Sequence, residues 1–158
     1  MGEAIWSNVV IPNEYNGKPV VSIKALHFKE LESVTIPDSV TSIEAGAFVG
    51  CDNLASIEIP NSVTSIGANA FLGCKSLTSI EIPNSVTSIG RYAFRSCISL
   101  TSITIPESVE TIGAVAFSAC SNLTTIYCEA TVKPDGWDDR WSASTLGTVT
   151  VVWDCKNQ

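Results

Sequence analysis

A single histidine, His27, and nine lysines and arginines against sixteen aspartates and glutamates leave this chain short of two kinds of chemistry. A lone histidine, with no serine, cysteine or second histidine close by, supplies neither a nucleophile–base pair nor a metal-ligand cluster, and His27 reads as a cap-surface residue. A net charge of −7 with no run of basic residues repels nucleic acid and anionic membrane surfaces. No apolar stretch approaches the roughly 20 residues of a membrane span. The opening Met1-Gly2-Glu3-Ala4-Ile5-Trp6 lacks the basic start and apolar run of a secretion signal, and Trp6 breaks the myristoylation pattern. The chain is therefore expected to be soluble, not inserted in a membrane and without an export address, which still allows it to be the mature part of a longer exported protein. Six cysteines include no C-x-x-C pair. No P-loop, dinucleotide fingerprint or G-x-S-x-G turn is present, and no phased pair of carboxylates suits general acid–base work. These absences argue against an enzyme and against a metal or cofactor.

What the sequence has is repetition. Ile-Pro occurs at Ile36-Pro37, Ile59-Pro60, Ile82-Pro83 and Ile105-Pro106, each 23 residues after the last. Val40, Val63, Val86 and Val109 keep the same phase, as do Ile43, Ile66, Ile89 and Ile112. Ala-Phe recurs at Ala47-Phe48, Ala70-Phe71, Ala93-Phe94 and Ala116-Phe117, followed by Cys51, Cys74, Cys97 and Cys120 and by Leu54, Leu77, Leu100 and Leu123. A period of this length is the signature of a solenoid, whose coils cannot bury their apolar filling singly and do so by stacking.

Each unit reads as one coil. Ile57 and Ile59 alternate with Ser56 and Glu58 as in a half-buried strand. Pro60, without an N–H, ends that strand in a turn. Val63 and Ile66 point inward from a second extended piece, and Gly67 permits a change of direction. Ala68 to Gly73 is too short for a free-standing helix and is predicted to form one helical turn anchored by Phe71. The expected fold is thus β-rich α/β: a solenoid with about five to six short parallel strands on one face and single helical or 3-10 turns opposite.

The pattern bends at both ends. Val9, Ile11-Pro12, Val20, Ile23 and Phe28 match the unit, but Ile11 to Ile36 spans 25 residues, with extra residues around Asn16-Gly17-Lys18-Pro19. Downstream, Ile126 keeps phase, Cys128 takes an inward isoleucine position, and Trp137, Trp141 and Trp153 follow in a segment suited to covering the last open face. Thr148 to Trp153 reads as a closing strand. One domain is expected: an N-terminal cap and irregular repeat over 1–35, regular repeats over 36–127 and a Trp-rich cap over 128–158.

Four cysteines form one repeat column and read as small buried hydrophobes. Cys128 and Cys155 lie outside it and are a candidate disulfide in an oxidising compartment. Outward strand positions line up as Ser33, Ser56, Ser79, Ser102 and Thr125, beside Thr35, Glu58, Glu81, Thr104 and Tyr127. Glu58, Glu81, Thr104 and Tyr127 are the candidate partner-binding residues on that face, against the reading of a merely solvated scaffold. Glu58 and Glu81 also spoil the residue match that an ice- or polymer-binding ladder needs. A second candidate is Arg91, Tyr92 and Arg95, where the third unit departs from its siblings; the plainer reading is an exposed, solvated turn.

The motif Leu-x-x-Ile-x-Ile-Pro-x-Ser-Val-Thr-x-Ile-Gly-x-x-Ala-Phe-x-x-Cys resembles the BspA-like, or treponemal-type, leucine-rich repeats. Tyr127-Cys128-Glu129-Ala130, Gly136-Trp137-Asp138 and Val151-Val152-Trp153 resemble the ending common in bacterial members. The resemblance implies a non-enzymatic module for adhesion or protein binding, secreted or at a cell surface, with no catalytic motif. An intracellular binder or inhibitor, or a thiol-redox protein, are the alternatives.

Overall fold

In Ser56-Ile57-Glu58-Ile59 the isoleucines are buried while Ser56 and Glu58 face solvent, the alternation of a strand with one wet face. The computed structural model describes residues 7–25, 28–143 and 148–157 and places successive copies of this segment side by side in a three-sided stack of coils. On the first side, Asn8–Val10 pairs with Ser33–Thr35, Ser56–Ile57 with Ser79–Ile80, and Ser102–Ile105 with Thr125–Cys128, all in parallel. The second side is a five-stranded parallel sheet of Ser22–Ile23, Ser42–Ile43, Ser65–Ile66, Ser88–Ile89 and Thr111–Ile112, with isoleucine opposite isoleucine throughout.

The Pro-x-Ser-Val column makes the corner between these sides. The Val40, Val63, Val86 and Val109 amides donate to the carbonyls of Pro37, Pro60, Pro83 and Pro106 at 3.0–3.2 Å, closing a turn. The serine before each valine ties its coil to the preceding one. Ser62 Oγ donates to the Val40 carbonyl at 2.6 Å, Ser85 to Val63 at 2.7 Å and Ser108 to Val86 at 2.9 Å.

The third side corrects the expectation of helical turns. Its segments are tight turns, and the one helix among the described residues is the short 3-10 turn Cys155–Asn157 near the C-terminus. Two positions per coil carry positive φ: Gly46 and Gly50, Asn69 and Gly73, Tyr92 and Ser96, Val115 and Ala119. A right-handed helix cannot run through such residues. Amides alternate between two destinations. Those of Ala47, Val49 and Cys51 bond three residues back, while those of Gly46, Phe48 and Gly50 bond the Ala68, Ala70 and Leu72 carbonyls of the next coil. The direction is also reversed: here the earlier coil donates to the later, whereas on the second side Thr64 donates to Thr41 and Gly67 to Ile43. The fold is therefore a solenoid of β-strands and turns rather than α/β.

Inside, Phe48, Phe71, Phe94 and Phe117 are no more than 1% exposed. Their rings stack with centroids 5.2, 5.3 and 5.4 Å apart and nearly parallel planes. Phe28 holds the same place in the repeat but is 38% exposed, because among the described residues it sits in the outermost coil. The extra residues upstream form a small antiparallel hairpin, Glu14–Tyr15 with Lys18–Pro19. Its tip, Asn16-Gly17, has φ of 52° and 72°, as a two-residue hairpin turn requires.

At the other end the repeat stops but its geometry continues. Trp137 bridges Ile112 on the second side, the Arg140 carbonyl accepts the Val115 amide on the third, and Thr150–Val152 pairs with Thr125–Tyr127 on the first. Trp141 stands edge-on to Phe117 with centroids 6.1 Å apart, and Trp137 lies 4.7 Å from Trp141. Trp137 Nε1 donates to the Val109 carbonyl at 3.0 Å, so the buried indole N–H is satisfied.

Candidate functional site

The first side presents a solvated column between its buried isoleucines. Glu58 and Glu81 are exposed and stand just past the paired Ser56–Ile57 and Ser79–Ile80. Thr104 and Tyr127 lie opposite each other in register, and Tyr127 is 39% exposed. Among the described residues no cation pairs with Glu58 or Glu81. Shallow depressions of about 490 and 610 Å³ run along this face, the first bordered by Glu81 and Thr104, the second by Thr35 and Glu58. Asp38, Asn61 and Asn84 also line them, and sequence reasoning passed these over. The signal existed, because Asp38, Asn61, Asn84 and Glu107 share one phase of the repeat, always just after the proline. At the C-terminal end of the column the charges are already engaged. Lys156 Nζ lies 2.9 Å from Glu129 and 3.4 Å from Glu107, and these partners, the Glu129 hydrogen bond first, raise its pKa.

Arg91, Tyr92 and Arg95 are on the third side, apart from this column. Arg91 and Arg95 are exposed, and their guanidinium carbons lie 4.5 and 5.1 Å from the centre of the Tyr92 ring. Arg91 Nη2 donates to Tyr92 Oη at 2.7 Å. The structure thus gathers the three candidates into one cluster, and it divides the two candidate sets between two faces.

The cysteine column is a buried file with a defined job. The Cys74, Cys97 and Cys120 thiols donate to the carbonyls of Phe48, Phe71 and Phe94 in the preceding coil at 3.2, 3.2 and 3.0 Å. A small apolar residue able to donate one weak hydrogen bond fits a site that valine or alanine would leave one partner short. Burial pushes Cys51 and Cys120 up to about 11 and Cys74 to about 12, and raises Cys97 well above its ordinary value. Cys128, also buried, is pushed up to about 12 by burial and then by its neighbour Cys155; both are thiols in this structure. Because the thiolate is the reactive form, these groups are poor nucleophiles. We expect Ellman titration of the native protein near neutral pH to find Cys155 as the accessible thiol, with the other five reacting only on unfolding. The pH dependence has a fixed sign. A thiol whose folded pKa is raised binds its proton longer in the native state, so stability present below the ordinary value of 9.0 is lost as pH climbs toward 11–12. Denaturation midpoints should therefore fall above pH 9, less steeply in a variant with the file cysteines changed to alanine.

His27, expected at the cap surface, lies outside the described residues. Among those described, no group of three or more His, Cys, Asp or Glu side chains is placed to hold a metal ion, and no helix is long and apolar enough to cross a membrane.

These features have close counterparts. A leucine-rich repeat protein of T. pallidum is 40% identical, with a TM-score of 0.73 over 77% of this chain and 58% of its own. One from Bacteroides ovatus is 35% identical, with a TM-score of 0.71 over 87% of this chain and 36% of its own. The chain is thus clearly shorter than both. A leucine rich cell surface protein of Faecalibacterium prausnitzii, 23% identical, covers 93% of this chain and shares the fold, with a TM-score of 0.60. No curated protein shows significant similarity to the sequence. The family model described as a BspA type leucine rich repeat region (6 copies) matches residues 21–134, and with the stacked phenylalanines, the cysteine file and the 23-residue register this places the chain in the BspA-type leucine-rich repeat family.

Proposed function

We propose that this chain is a non-enzymatic protein-binding module, for adhesion or recognition, and that its strand face meets the partner through Glu58, Glu81, Thr104 and Tyr127. The observation that carries the reading is an exposed column holding two carboxylates without a cation partner among the described residues and an aromatic end. Its backbone is held by the stack, so only side-chain rotamers remain to be ordered on binding. Repeat solenoids use such continuous surfaces for protein partners, and the family is one of repeat proteins without a catalytic motif. The family likeness favours a place outside the cell, where Cys128 and Cys155 would be the pair to join. The same face would serve an intracellular binder or inhibitor equally well. The thiol-redox reading is less favoured, because burial pushes the Cys51, Cys74, Cys120 and Cys128 thiols above the range of a reactive cysteine.

The test is capture of partners from the native environment by the wild-type chain and by the Glu58→Lys/Glu81→Lys variant. A partner engaging the carboxylates should be retained about tenfold less by the variant. Equal capture of the same partner by both proteins removes the strand face from the proposal.

A further inference from the structure

We infer that Arg91, Tyr92 and Arg95 form a second docking ridge, whose occupant is an acidic segment of a protein partner. This rests on the protein-binding reading above but on a different face. The third side is otherwise small or apolar at the matching positions. Ala68 and Ala114 flank Arg91 in its column, Leu72 and Ser118 flank Arg95, and Asn69 and Val115 flank Tyr92. No repeat pressure calls for charge there.

The use made of the charges points the same way. Lys75, Lys133, Arg140 and Lys156 each pair with a carboxylate. Among the described residues Lys18, Lys24, Lys29, Arg91 and Arg95 pair with no carboxylate, and of these only the two arginines stand together on one ring. That ring is Tyr92, and Arg91 is held to its hydroxyl. Each guanidinium is attracted to the ring face while the two repel one another, and an anion between them would relieve that repulsion. Tyr92, at φ +58°, sits at a left-handed turn position that its backbone bonds fix: its amide donates to the Ala114 carbonyl and its carbonyl accepts from Arg95. The ridge is therefore preorganised. Arginine forks accept carboxylates in two-point geometry, and arginine and tyrosine are favoured anchors of protein interfaces. A ridge of two arginines on a chain of net charge −7 is too small a basic patch to hold a nucleic acid, and a short acidic peptide is the fitting occupant.

The experiment selects peptides from a random display library on the immobilised wild-type chain. The affinities of the labelled winners are then measured by fluorescence anisotropy for wild type, Arg91→Glu/Arg95→Glu and Glu58→Lys/Glu81→Lys. Both variants change exposed side chains only, and their thermal midpoints serve as the folding control. The expected result is enrichment of Asp- and Glu-rich peptides, weakened by added salt and about tenfold or more by the arginine variant, while the glutamate variant, less negative overall, does not weaken it. Enrichment of neutral or basic peptides that respond only to the glutamate variant would keep the strand-face reading and overturn the ridge. Acidic peptides held equally by the arginine variant, peptides that bind only when phosphorylated, or no enrichment at all would overturn it too.

Discussion

Replacing Phe94 by alanine is expected to lower the unfolding free energy by about 3–5 kcal/mol. Phe94 is fully buried between Phe71 at 5.3 Å and Phe117 at 5.4 Å, with planes 6° and 1° from parallel. Truncation removes a ring from the water-free interior and ends two stacking contacts, and the coils cannot close the gap because their spacing is fixed by backbone bonds on all three sides. Stability in a stack is a sum over neighbours, so the loss falls between coils rather than within one. Phe48→Ala should cost less, since Phe48 has one stacked neighbour, Phe71, among the described rings. Urea denaturation read by tyrosine and tryptophan fluorescence would check both. Phe94→Ala should broaden the transition or split it, as coils on either side of residue 94 unfold apart. Equal losses at 48 and 94, or a loss under about 1 kcal/mol at 94, would sink the nearest-neighbour account.

Gly90→Ala is expected to destabilise by about 3 kcal/mol, at the upper end of overpacking effects. A Cβ at Gly90 would collide with the Ala68 backbone nitrogen and stand 2.5 Å from the Gly67 carbonyl carbon. The same column repeats the contact: a Cβ at Gly67 would stand 2.5 Å from the Ala45 nitrogen and 2.6 Å from the Glu44 carbonyl carbon. Backbone held in ladders on both sides cannot swing away as the tip of a side chain can. Gly50→Ala is the control. Gly50 has φ +68° but nothing within 4 Å of its missing Cβ, so only the left-handed penalty of about 1–2 kcal/mol applies. Thermal unfolding of the two variants should rank Gly90→Ala well below Gly50→Ala. The reverse order would mean that backbone freedom, not close approach, explains the column.

That column shows where reading the sequence stopped short. Gly67 was expected to permit a change of direction, yet the glycines of its column have no positive φ; they permit two backbones to touch at the corner where the ladder reverses. The pattern marks the position but not its reason, because the contact lies a full coil away in the chain. The helical turn over Ala68 to Gly73 failed for a related cause. Local spacing favours a turn, but half of its amides bond the neighbouring coil, which no propensity of the segment records. The candidate residues were legible as columns and as one departure from a column. Their partition between two faces, and the grouping of both guanidinium groups on one ring, required coordinates.

The inward columns followed from the sequence alone: isoleucine, valine, phenylalanine, cysteine and leucine recurring every 23 residues can be buried together only if successive coils lie in register, so the solenoid and its buried file were fixed by phase. What closes the C-terminal end was settled only by tertiary structure. Trp137, Arg140 and Thr150–Val152 extend the three sides without repeating any motif, and Trp141 meets the last phenylalanine edge-on. The reason is that a period can announce itself only where neighbours are alike. A terminal coil has a neighbour on one side alone and is chosen for the shape it must cover.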